Sequence, residues 1–192
     1  MKKLALVLSL VLMLTFVGCS SKTTVKETDA FRFDSKTGYA YSTAPFGIDT
    51  TELESAIGSK LTMVSESPAT APFAYTNYSS EDIVQSADCS GKFDAQFDEN
   101  GNLFSVTFHE QLARGTAEEH FEAASKRFTE TFGAPAVQDN NGIGTQYLEW
   151  QDKSSGTALG LTYSDLGTTD PTLMISVFEK SRYVEAGTGE WK

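Results

Sequence analysis

The chain has 192 residues, of which 15 are Lys or Arg and 26 are Asp or Glu; its net charge is −11, with 40% hydrophobic and 11% aromatic residues. That length and apolar content fit a globular chain of one domain or two small ones. Nucleic acid is excluded as a partner, because a polyanion requires a basic footprint and this surface repels phosphates.

Lys2 and Lys3 precede an apolar run from Leu4 to Val17, broken only by Ser9 and Thr15. As a helix the run spans about 21 Å, short of the roughly 30 Å hydrocarbon core, so residues 1–18 read as an export signal and not as a permanent span. Phe16-Val17-Gly18-Cys19 follows, a tetrapeptide that resembles the lipobox of bacterial lipoproteins. The resemblance implies cleavage before Cys19 and lipidation of its thiol, with palmitate-like acyl chains holding the protein on the outer face of the bacterial cell membrane, or on an outer membrane where the host has one. Two or more chains anchor stably where one holds marginally. The alternative is a plain secretory signal beside an incidental cysteine. Removing 1–18 takes away two of the 15 cations and none of the 26 acids, leaving a net charge of −13. An anionic leaflet repels such a body, so the lipid supplies the membrane affinity. Residues 19–30 read as a lipidated flexible tether.

A domain is expected over 31–180. Phe31-Arg32-Phe33 and Tyr39-Ala40-Tyr41 alternate around a turn-rich Asp34–Gly38, the pattern of a short hairpin or edge strand. Asp49-Thr50-Thr51-Glu52 has capping-box spacing and Gly58 stands where a left-handed cap ends a helix, which predicts a helix over about 50–57. Residues 59–90 read as loops with one strand near Phe73–Tyr78. Phe93, Ala95 and Phe97, then Phe104, Val106 and Phe108, alternate with polar residues around Asn100-Gly101, predicting a hairpin. Thr116 and Glu119 have capping-box spacing, Gly133-Ala134-Pro135 ends the element, and Ala117, Phe121, Ala124, Phe128 and Phe132 form the stripe of an amphipathic helix between them. Strands are expected over 147–151, 157–163 and 172–179. Residues 181–192 form a tail in which Gly187 and Gly189 favour fraying and Trp191 favours docking.

These elements predict an α+β fold, a helix packed on an antiparallel sheet. The two halves read either as tandem helix-plus-sheet units, about 47–112 and 113–180, or as one α+β domain in which helix-then-hairpin recurs. The lipobox, the capped helix to Ile57-Gly58 and the stretch from Phe121 through Phe132-Gly133-Ala134-Pro135 to Trp150 resemble small envelope lipoproteins of the SmpA/OmlA type and the tandem-repeat β-lactamase inhibitor proteins. That resemblance implies a binding scaffold without catalysis.

No catalytic residue, metal ligand or cofactor site is expected. His109-Glu110 lacks the second histidine of the zinc protease pattern, no Gly-x-Ser-x-Gly occurs, and no Gly-Lys-Ser or Gly-Lys-Thr forms a phosphate loop. Gln96–Thr107 lacks the acidic first and twelfth positions of a calcium loop and reads as a turn. Cys89 reads as a small buried hydrophobe; a cysteine-dependent hydrolase pairing it with a histidine is the third-ranked function.

Surface remains. If Leu173, Ile175 and Val177 face the core, Met174 and Phe178 face away, joined by Tyr147, while Phe31, Phe33, Tyr39 and Tyr41 form a second aromatic group; either set can mark a protein partner site. The bland alternative is that the halves, or the amino hairpin, cover these faces. The expected function is that of an exported, membrane-anchored, non-catalytic protein-binding module. A small-ligand or glycan binder using Trp150, Tyr147 and Tyr163 is the alternative.

Overall fold

A computed structural model describes residues 25–28, 30–85, 89–113, 116–167 and 170–192. The export signal, Cys19 and the first part of the tether lie outside the described residues. Within them, 44% of residues are in strands and 19% in helices. The expectation of an α+β fold is therefore corrected: the body is mostly β, built from two antiparallel sheets with only short helices beside them.

The smaller sheet is β1 (Val25–Glu27), β2 (Phe31–Asp34) and β3 (Gly38–Tyr41) in that order. β1 thus lies inside the segment read as a tether. Helix α1 (Thr50–Ile57) follows, with both bonds of its Asp49/Glu52 capping box formed and Gly58 at φ 69° closing it. The larger sheet has nine strands among the described residues. β4 (Leu61–Glu66), β5 (Tyr75–Ser80), β7 (Ser90–Asp98) and β8 (Leu103–Gln111) form one meander; β9 (Val137–Asn140), β10 (Thr145–Asp152), β11 (Thr157–Ser164) and β12 (Thr172–Phe178) form another. The two-residue β6 (Val84–Gln85) pairs with the start of β7. Antiparallel pairing of β8 with β12 fuses the meanders into one sheet. The physical reason is that a strand pair satisfies two rows of backbone groups at once, and joining β8 to β12 removes two open edges.

One face of the large sheet is the core. Phe93, Val106, Phe108, Leu159, Leu161, Ile175 and Val177 point into it. The stripe of α2 (Ala117–Phe132) is buried as expected, but it meets rings from both sheets. Phe128 stands edge-on to Phe31 of the small sheet at 5.8 Å and to Trp150 of the large one at 5.7 Å. Thr116 does not cap this helix: its backbone is already helical, and its hydroxyl donates to the Ala113 carbonyl.

The amino hairpin forms, but its rings turn inward. Phe31, Tyr39 and Tyr41 are 0%, 5% and 5% exposed, and Phe33 packs against the same core. They are core residues, correcting their assignment to a surface partner site: a two-residue period places the aromatics on one face, and that face meets Phe108, Phe128 and Phe132. Phe104 also departs from simple alternation. It is the extra residue of a bulge, with Gln96 opposite Ser105 and Phe97 opposite Leu103, so Leu103 takes the inward place. Phe104 instead stacks on Phe73 at 5.7 Å and carries the Arg182 guanidinium at 4.9 Å. These rings seat α3 (Lys180–Glu185), a helix where the segment read as a tail begins.

Candidate functional site

The other face of the large sheet carries a groove of about 490 Å³, within the range of small-ligand sites. Its floor follows from register. Asp94, Thr107, Ser176, Gly160 and Glu149 are successive Cα partners across β7, β8, β12, β11 and β10. The neighbouring row runs His109, Met174, Thr162, Tyr147. Side chains in the middle of the floor are small, and larger ones stand around them, which is what gives a sheet face depth. A Cβ on Gly160 would lie 3.3 Å from the Tyr147 ring, which leans over β11, so any side chain there would press the ring aside by a few tenths of an ångström.

Two polar pairs stand at opposite ends. At the first, Nε2 of His109 lies 3.0 Å from Oδ2 of Asp94. Burial opposes ionisation of Asp94, but hydrogen bonds from His109 and Ser79 and the charge of Lys92 outweigh it and hold the carboxyl below the usual aspartate value. At the second, Lys180 reaches from the start of α3 to Glu149, and the two are 8% and 3% exposed. Tyr147 donates its hydroxyl to the same carboxylate, and Gln151 donates its amide. Burial, then the bond to Glu149 and its charge, push the Tyr147 phenol well above the ordinary tyrosine range.

Between the pairs the lining is neutral. Thr107 and Ser176 hydroxyls share a hydrogen bond at 2.9 Å, and Gln96 donates to Asn77 at 3.0 Å while accepting from the Tyr183 hydroxyl at 3.2 Å. Burial, then the neighbouring Tyr75, push the Tyr183 phenol up to about 12. Phe178 stands edge-on to Tyr183 at 5.7 Å. The carboxyl segment forms one wall: Thr188 and Gly189 line the groove, and the Lys192 amide donates to Gln151.

Of the residues singled out in the sequence, Tyr147 and Phe178 line this groove, and Met174 shares their face through its pairing with His109 and Thr162. Trp150, Tyr147 and Tyr163 do not converge. Trp150 is core, its indole donating to the Gly133 carbonyl at 2.7 Å, and Tyr163 packs on Phe121 on the core side. Cys89 is buried in the core, on the sheet face opposite His109, and His120 faces Glu110 at 3.7 Å, so neither histidine meets the thiol. Among the described residues no group of three or more His, Cys, Asp or Glu side chains gathers to hold a metal ion. Asp94, Gln96, Glu149, Lys180 and Tyr183 were not singled out; their polar alternation was legible, but their convergence depends on the pairing of distant strands.

Comparison with family models, curated proteins and solved structures yields no match. The arrangement itself sets aromatic rings beside hydrogen-bonding side chains on a pre-formed floor.

Proposed function

We propose that this is an exported, lipid-anchored, non-catalytic binding protein whose binding site is the groove on the open face of the large sheet, and that the groove takes a small polar ligand. The lipid anchor rests on Phe16-Val17-Gly18-Cys19 after a charged and apolar leader. The binding role rests on one observation: six strands, from β5 to β10, contribute side chains to one groove whose small central residues are flanked by Tyr147, Phe178 and Tyr183. A groove of ligand size with rings at its sides and hydrogen-bonding groups on its floor favours a small ligand over a flat protein contact. A second reading, a protein partner lying across the same face, is favoured by Met174, which adds apolar surface beside the groove.

The test is thermal denaturation of the detergent-solubilised full chain against a panel of sugars, amino acids and short peptides, beside Ser176→Trp, which fills the floor. A saturable rise in Tm lost in Ser176→Trp is expected. A rise that survives the substitution places the site elsewhere.

A further inference from the structure

We infer that the ligand is a neutral saccharide chain of more than one ring, lying across the strands; this rests on the groove being the binding site. Three observations point to it.

The first is charge. Each acid that lines the groove already has a partner within it, Asp94 a hydrogen bond from His109 and Glu149 the ammonium of Lys180. No charge at the floor awaits a ligand of opposite sign, and a chain at −11 repels anions. A charged ligand at Glu149 would have to displace Lys180 and leave a buried ion uncompensated.

The second is the chemistry between the pairs. Hydroxyls of Ser105, Thr107, Thr162 and Ser176 and the carboxamides of Asn77 and Gln96 offer donors and acceptors in both senses. The aromatic rings beside them offer apolar faces. A ligand that uses both presents many hydroxyls around a ring with C–H faces, which is the chemistry of a sugar. Peptide recognition by strand addition needs a free sheet edge; here the strands' own N–H and C=O groups are committed to the ladders on either side, and only side chains face the ligand.

The third is length. Lining residues run from β5 to β10 across five inter-strand steps, about 24 Å at the usual strand spacing. That span exceeds one ring.

The test is isothermal titration of the detergent-solubilised full chain with triacetylchitotriose, cellotriose and maltotriose, with trigalacturonate as the anionic control and trialanine as the peptide control. Saturable binding of at least one neutral trisaccharide is expected, about tenfold or more tighter than trigalacturonate and weakened about tenfold by Thr107→Val. Phe178→Ala should weaken it similarly; if that variant fails to fold, the isosteric Thr107→Val decides. Failure of all three neutral sugars, or tighter binding of trigalacturonate, overturns the saccharide class. Trialanine binding that Ser176→Trp abolishes leaves the groove as the site and removes only the sugar. Sugar binding untouched by Thr107→Val and Ser176→Trp overturns the groove as well.

Discussion

Lys180, the first residue of α3, buries its ammonium on Glu149, a β10 carboxylate 31 residues earlier in the chain. This pair fastens the carboxyl segment to the sheet and so fixes one wall of the groove. Breaking it from either side leaves a buried ion without its partner. Lys180→Met and Glu149→Leu should each lower stability by about 3–5 kcal/mol, whereas the double variant should recover most of the loss. Urea denaturation of the four proteins checks the cycle. Equal and additive losses would mean that the pair is not the fastening.

The inward rings of the amino hairpin and the outward apolar side chains of the large sheet should differ sharply in what they contribute to stability. Phe31 is fully buried among Tyr41, Phe108 and Phe128, so Phe31→Ala should cost about 3–5 kcal/mol by transfer and cavity together. Met174→Ser lies on the half-exposed groove face and should cost under about 1 kcal/mol. Thermal melts of the two variants separate core from surface.

These two groups show what could be read beforehand. Local signals were legible where a contact is made within one turn or one hairpin. Asp49 and Glu52 lie three apart and cap each other, and the α2 stripe repeats at helical spacing. The β7 and β8 alternation held until the bulge at Phe104, which no period announces. Four strands were missed for physical reasons: β1 and β6 have only three and two residues, β4 is an edge strand exposed along most of its length, so it carries no alternation, and β9 is the polar Val-Gln-Asp-Asn. The groove was illegible for a third reason. Thr107 meets Ser176 across 69 residues, and periodicity assigns a face to each strand without saying which strands lie side by side.

Stability should fall at both ends of the pH scale. The carboxyls of Asp94, Asp98 and Asp152 lie below their ordinary value in the fold. Burial opposes this, but hydrogen bonds to His109 and Ser79, to the Asn102 and Asn100 amides and Arg182, and to Ser155 and Ser154 respectively overcome it. A depressed folded pKa contributes stability that is present above the unfolded value and lost as pH falls through the folded one, so unfolding should set in below the ordinary aspartate value of about 3.9. Tyr39 is pushed up to about 12 by burial and then by Asp152. A raised folded pKa acts the other way, and its contribution is lost as pH climbs from 10 toward 12. Tyrosinate absorbance should therefore rise partly in step with loss of the folded near-ultraviolet circular dichroism. Complete tyrosine titration in a still-folded protein would contradict the burial.

Lipidation predicts that the chain partitions into the membrane fraction of its host and that Cys19→Ala releases it to the soluble exported fraction, with the mass of the acyl groups lost. A Cys19→Ala protein that stays in the membrane would assign the affinity to the folded body.

The central claim is that the open face of the large sheet is where this protein binds. Photocrosslinking in intact cells tests it directly, with benzoylphenylalanine introduced at Thr162 in the groove or at Glu122 on the exposed side of α2. An adduct at position 162 and none at 122 is predicted, its mass reporting a small ligand or a protein. An adduct at 122 alone, or at neither position, would contradict the claim.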